Sequence, residues 1–340
     1  MGLDLFDALR GGTFPAIEPA SAPKAPQAFH QASTRRGRAL SAWPRVSLRA
    51  VSDSRLSRIF APDLLAGSVA IVSGGGSGLG RETALELSRC GARVTICGRR
   101  EEPLRQTAAS DPHGRVRALV CDVREPDQVD ALVERVLAEE GRIDLLVNNA
   151  GGQFMSPAES ITPKGFATVI RLNVEGTWLM THAVATKAMI PSGAGGKVLS
   201  VTLSPHNGMP GMAHSGAARA AVENLMRTLS IEWARFRIRL LALAAGQFET
   251  QTLLTKYPRP IVERIAETIP LGRMGTEREW AWLVAYLASP AGDFFSGTVL
   301  TMDGARDDWL GPWPPPAATD REGAPLAEER RERPPAEPPA

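Results

Sequence analysis

Short apolar runs alternate with amphipathic segments from Val69 to Gly304, and that alternation constrains the fold more than any other feature. Val69-Ala70-Ile71-Val72 comes first and ends in a cluster of glycines, after which Glu82 to Arg89 has helical periodicity. Further runs follow at Val94-Thr95-Ile96-Cys97, Ala118-Leu119-Val120, Leu145-Leu146-Val147, Val198-Leu199-Ser200-Val201, Leu240-Leu241-Ala242-Leu243 and Val299-Leu300-Thr301. Helical stretches are predicted between them, over 128–140, 165–188, 215–235 and 277–287. Runs that are apolar at every position bury both faces of a strand, and helices between them imply parallel neighbours. Seven such strands predict one doubly wound α/β domain with a single parallel sheet over residues 58–310.

Both flanks differ in composition. Residues 1–57 are rich in Ala, Pro, Ser and Arg, and they read as a disordered arm. An Arg- and Ser-rich, acid-poor start is also compatible with an organellar transit peptide. Residues 311–340 are dominated by Pro, Glu and Arg and read as a disordered tail. No apolar run is long enough to span a bilayer, and a net charge of +2 gives no general attraction to nucleic acid or anionic lipid. Cys90, Cys97 and Cys121 fall inside predicted helix or strand without metal-ligand spacing, so no metal is expected.

The first apolar run leads into Ser73-Gly74-Gly75-Gly76-Ser77-Gly78-Leu79-Gly80 and then a helix. Glycines at a strand-to-helix turn let backbone approach a pyrophosphate, while the helix N-terminus faces its charge. Gly74, Ser77, Gly78, Leu79 and Gly80 are therefore candidate cofactor contacts. The second run ends in Arg99-Arg100 with no carboxylate to accept from ribose hydroxyls, and guanidinium suits a 2′-phosphate. The cofactor expected is NADP(H). Asp122 and Val123 follow the third run, with Asp122 a partner for the adenine amine. After the fourth run, Asn149 precedes Ala150 and Gly151, whose small side chains would admit the nicotinamide ribose.

Taken in order with Asn173, Gly176, Pro270-Leu271-Gly272-Arg273 and Met302-Asp303-Gly304, these landmarks resemble the short-chain dehydrogenase/reductase superfamily over residues 59–305. The resemblance implies a Rossmann-type domain and pairing of subunits, as a homotetramer or homodimer, through the helices at 165–188 and 215–235. Within the superfamily, the stretch from Asn149 to Glu159 and the stretch from His214 to Ala220 look like the peroxisomal trans-2-enoyl-CoA reductases. The C-terminus lacks a Ser-Lys-Leu-like address, which points to a cytoplasmic relative.

Where that superfamily carries its catalytic Tyr-x-x-x-Lys, this chain reads Ser215-Gly216-Ala217-Ala218-Arg219, and its two tyrosines are Tyr257 and Tyr286. Thr202 stands in place of the usual Ser, and Ala245-Gly246 in place of Pro-Gly. Thr250 keeps the hydroxyl that would meet the carboxamide, and Gly246 its cofactor contact. Asn173 is expected to hold a helix kink and a water.

Without an ionisable phenol, delivering a proton to an alkoxide is slow. Reduction of an alkene conjugated to a thioester instead places charge on an enolate oxygen, where one hydrogen-bond donor is worth about 2.7–4 kcal/mol. Ser215 and Thr202 are the candidate donors, with Arg219 adding charge and also serving the cofactor. Water, His206 or His214 would protonate the α carbon. The expectation is NADPH-dependent reduction of trans-2-enoyl-CoA thioesters. The alternatives are NADP-dependent oxidation of a terpenoid alcohol such as citronellol, and an NADP(H) sensor without turnover.

Overall fold

The computed structural model describes residues 55–204, 206–256, 262 and 264–308. Its sheet has seven parallel strands, β1 (Val69–Ser73), β2 (Arg93–Gly98), β3 (Val116–Val120), β4 (Leu145–Asn148), β5 (Gly196–Leu203), β6 (Ile238–Ala245) and β7 (Val299–Met302). They lie in the order β3-β2-β1-β4-β5-β6-β7. This is the doubly wound, Rossmann-type arrangement that the alternation predicts. Almost all of the predicted N-terminal arm and the whole tail, together with Tyr257, lie outside the described residues. One detail moves the domain edge outward: Ser57 is buried, and its hydroxyl reaches the buried Glu86 carboxylate.

The helices are α1 (Gly78–Arg89), α2 (Glu101–Ala109), α3 (Pro126–Glu140), α4 (Pro163–Ile170), α5 (Gly176–Val184), α6 (Ile190–Ser192), α7 (Ala213–Glu232), α8 (Gln251–Lys256) and α9 (Glu277–Ala288). Side chains alternate across each strand, so β1 sends Val69 and Ile71 to one core and Ala70 and Val72 to the other. The first core packs Val133, Met180 and Met226 from α3, α5 and α7. The second packs Leu87, Leu104 and Trp280 from α1, α2 and α9. Helix ends follow local chemistry. Pro126 opens α3 and Gly141, at φ 74°, closes it. Thr276 and Glu279 form a capping box at α9.

The sequence predicts one helix over 165–188, whereas the structure interrupts it with π-turns at Arg171–Glu175 and Ala185–Met189. A π-turn widens the helix by one residue and frees a carbonyl. Asn173 Nδ2 meets that need by donating to Val169 O at 2.8 Å.

Lys197 of β5 ties the sheet to α9. Its buried Nζ donates to the carbonyls of Leu287 (2.9 Å) and Ala288 (3.1 Å) and pairs with Asp293 (2.8 Å), a cation at the negative end of a helix. Lys197→Met keeps the aliphatic stem but leaves those carbonyls without a donor. The expected loss is about 1–3 kcal/mol, read as a lower urea midpoint at unchanged m-value.

Candidate active site

Six strands, β1 to β6, end at a cavity of about 1490 Å³ beside the point where strand order reverses between β1 and β4. The glycine turn forms one wall. Gly74 sits at φ 69°, and a Cβ there would lie 2.8 Å from Asn149 Nδ2, so a side chain is excluded twice. Asn149 braces the turn from the β4 side, donating from Nδ2 to Ser73 O (3.0 Å) and Gly74 O (3.2 Å). The amides of Asn149 and Ala150 both donate to Ser73 Oγ at 3.0 Å. Helix α1 then opens with Ser77 extended, no side-chain cap and no acid in its first turn, which leaves its amides for an anion.

Arg99 and Arg100 line the cavity beyond β2. Among the described residues neither side chain makes a hydrogen bond or ion pair, although the Arg99 charge helps to stabilise the Asp122 carboxylate. Glu101 pairs with Arg105 (3.6 Å) and Glu102 accepts from Gln106 (2.9 Å), both within α2. Asp122 also lines the cavity, but its carboxylate is held by Arg124 Nε at 2.9 Å and by the Arg124 amide at 3.1 Å. Those hydrogen bonds keep it below the usual carboxylate range. Five arginines (Arg99, Arg100, Arg219, Arg264, Arg306) face two acids, Asp122 and Glu267, around the cavity, which suits a phosphorylated ligand.

Arg219 enters from α7 and donates to Val201 O at 2.9 Å. Its buried Nε has no partner, and among the described residues no carboxylate pairs with it. Burial pushes the guanidinium down to about 10, which leaves it charged at neutral pH. Gly151 makes room for it: a Cβ there would lie 2.7 Å from Arg219 Nη2 and 2.8 Å from Asn173 Oδ1. A polyphosphate-bearing dinucleotide fits this lining, because the open amides of α1 and the unpaired Nε both need an acceptor. Gly246 and Thr250 complete that wall. Thr250 Oγ accepts from the Leu253 amide at 3.1 Å, which leaves its hydroxyl hydrogen to donate.

Of the four expected catalytic residues, Thr202 and Arg219 line the cavity, whereas Ser215 and Asn173 stand behind it. Ser215 is fully buried in the first turn of α7, and its Oγ donates to Gln153 Oε1 at 2.6 Å. A hydroxyl has one hydrogen, so in this arrangement Ser215 orients Gln153, and the Gln153 amide stands at the cavity wall. Ser215 is not the helix cap, since α7 begins at Ala213. Asn173 spends its amide on Val169 O and Gly152 O (2.8 Å each) and accepts from Gly152 N at 3.2 Å, which holds the Gly152–Gln153 loop. His214 is buried edge-on against Phe154, and its Nδ1 accepts from the Ser215 amide at 2.8 Å. Tyr286 packs on Phe295 from α9 and does not line the cavity. Gln153 is a cavity-lining candidate that sequence reasoning passed over, although it follows the Asn149–Gly152 motif directly.

Among the described residues no cluster of His, Cys, Asp or Glu is arranged to hold a metal, and no helix is long and apolar enough to cross a membrane. The three cysteines are buried and free.

Residues 74–305 match the family described as Enoyl-(Acyl carrier protein) reductase. The chain is similar to a probable 2,4-dienoyl-CoA reductase of Bacillus subtilis (strain 168), with 34% identity over 72% of this chain and 97% of that one. It is similar in structure to a citronellol catabolism dehydrogenase of Pseudomonas aeruginosa PAO1, at TM-score 0.66 and 42% identity, over 73% of this chain and 98% of that one. A 3-ketoacyl-(acyl-carrier-protein) reductase from Brucella melitensis complexed with NADH aligns at TM-score 0.67 and 31% identity, over 72% and 99%.

Gly151→Ala forces Arg219 and Asn173 apart at the crowded point of the wall. The expected cost is about 1–3 kcal/mol, measured as a weaker dissociation constant for the reduced dinucleotide by fluorescence titration, with the fold retained by circular dichroism.

Proposed function

The chain belongs to the short-chain dehydrogenase/reductase superfamily, and from that premise we propose that it reduces a carbon–carbon double bond conjugated to an acyl-CoA thioester. The observation that carries this reading is the composition of the cavity wall. Among the described residues the wall has an amide (Gln153), a hydroxyl (Thr202) and a guanidinium (Arg219), and no phenol. NADPH, when bound, supplies the hydride. The residues of this chain then have to stabilise charge on the thioester oxygen, which calls for fixed donors rather than a strong acid. Ser215 orients Gln153, Asn173 holds the loop that carries it, and Arg219 adds a positive charge that water does not screen. A 2-enoyl and a 2,4-dienoyl thioester both drain electrons into the same carbonyl, and the dienoyl-CoA reductase relatives support the second.

The cofactor reading rests on Arg99 and Arg100, which form no ion pair among the described residues at the end of β2. Each charge-assisted hydrogen bond to a 2′-phosphate is worth about 1.5–3 kcal/mol. Arg99→Ala with Arg100→Ala is therefore expected to weaken NADPH binding tenfold or more and to leave NADH binding unchanged.

A second reading, oxidation of a citronellol-type alcohol, is favoured by the 42% identity to the Pseudomonas protein. One panel separates the two. Purified protein is mixed with NADPH and with NADH against 2-enoyl- and 2,4-dienoyl-CoA, and with NADP⁺ against citronellol. Loss of reduced-nicotinamide absorbance with the thioesters alone supports the reductase. Brisk citronellol oxidation with inert thioesters replaces it, and tight NADPH binding without turnover points to a sensor.

A further inference from the structure

We infer that Asp307, His206 and Glu223 form a proton relay through the cavity wall that reloads the Thr202 hydroxyl. The inference rests on the proposed reduction, which consumes one proton per turnover at this wall.

Thr202 is the cavity end of the chain of contacts. Its Oγ1 donates to Glu223 Oε1 at 3.0 Å, so the hydroxyl turns its hydrogen to the cavity only once that oxygen carries a proton, and the same oxygen lies 3.0 Å from His206 Nε2. One carboxylate oxygen therefore touches both neighbours: it takes a proton from His206 and, by rotation of that O–H about the C–O bond, hands it to Thr202. His206 Nδ1 hydrogen-bonds Asp307 Oδ2, and the His206 amide donates to Asp307 Oδ1. His206 is the solvent contact of the three: its side chain is 33% exposed, against 13% for Asp307 and 7% for Glu223. Neither His206 nor Glu223 lines the cavity, and Thr202 is the member of the chain that does.

The surrounding charges are arranged consistently with this path. Asp303, at the end of β7, accepts from the Ser204 hydroxyl and from the amides of Arg306 (3.2 Å) and Asp307 (2.8 Å), which sets the turn that carries Asp307. Arg219 lies one turn before Glu223 on α7 but donates to Val201 O instead. Among the described residues no Lys or Arg pairs with Glu223, so His206 is its cationic partner. Burial lowers the proton affinity of His206, but the hydrogen bond with Asp307 and the charges of Glu223 and Asp307 outweigh it and hold the imidazole above its ordinary range. The imidazolium therefore persists at pH values where a free imidazole is neutral.

For each hydride added to the substrate, the Thr202 O–H bond breaks as a C–H bond forms at the α carbon. Thr202 regains a proton from His206 across the Glu223 oxygen, and the imidazole regains its own from water. Reduction is expected to slow as pH rises through the raised His206 value, because the relay then empties.

The test compares wild type, His206→Gln and Glu223→Gln on whichever substrate of the panel turns over, so a failed thioester reading leaves the relay testable. His206→Gln is expected to lower kcat on the order of a hundredfold, to leave KM and NADPH affinity within about twofold, to erase the alkaline limb, and to be rescued by added imidazole. A profile that overlays wild type overturns the relay. The second readout needs no turnover: in the NMR titration of His206, Glu223→Gln is expected to shift its midpoint down, and an unmoved midpoint overturns the contact. Absence of turnover on every substrate overturns both the relay and the proposed function.

Discussion

Among the described residues the guanidinium of Arg219, held inside the cavity wall, has a single backbone acceptor and no carboxylate, and the rest of the site is organised around it. A buried charge without a counter-charge is costly unless something supplies the missing partner. Gly151 lacks a side chain where a Cβ would collide with Arg219. Asn173, in a π-turn, fixes the loop that carries Gly152 and Gln153. Ser215, one helical turn before Arg219, orients the Gln153 amide. The arrangement uses a glycine turn and a widened helix turn to place donors and one cation around the cavity, which suits an anionic ligand.

The sheet was legible because its central strands, β1 and β4 above all, are apolar runs buried on both faces, while the edge strands β3 and β7 are only partly buried. The glycine turn was legible for the same local reason, since its residues follow one another along the chain. The helix α2 was missed, being short, with only Leu104 and Thr107 buried. The π-turns were not legible because a one-residue widening leaves the apolar spacing nearly intact.

Of the candidate catalytic residues read from the sequence, Thr202 and Arg219 line the cavity and Ser215 and Asn173 do not. Thr202, Ser215, Asn173 and Arg219 were identified from position, but the partner of Ser215 lies 62 residues away and that of Thr202 lies 21 residues away. Spacing along the chain cannot encode which hydroxyl spends its hydrogen on a neighbour. Glu223 illustrates the gap: four residues after Arg219 on one helix, it resembles an ordinary surface pair, yet it is buried and faces Thr202 and His206 instead.

On the proposed reading the site stabilises charge on a conjugated carbonyl, and among the described residues no ring hydroxyl lines the cavity. The most direct measurement uses a chain from which both tyrosines have been removed, Tyr257→Phe with Tyr286→Phe. With NADPH and an unsaturated acyl-CoA, the account predicts a kcat within about twofold of the parent protein, given that Tyr286 packs remotely against Phe295. A collapse of kcat on the order of a hundredfold or more, with folding and NADPH affinity intact, would show that a phenol does the chemistry and would contradict the account.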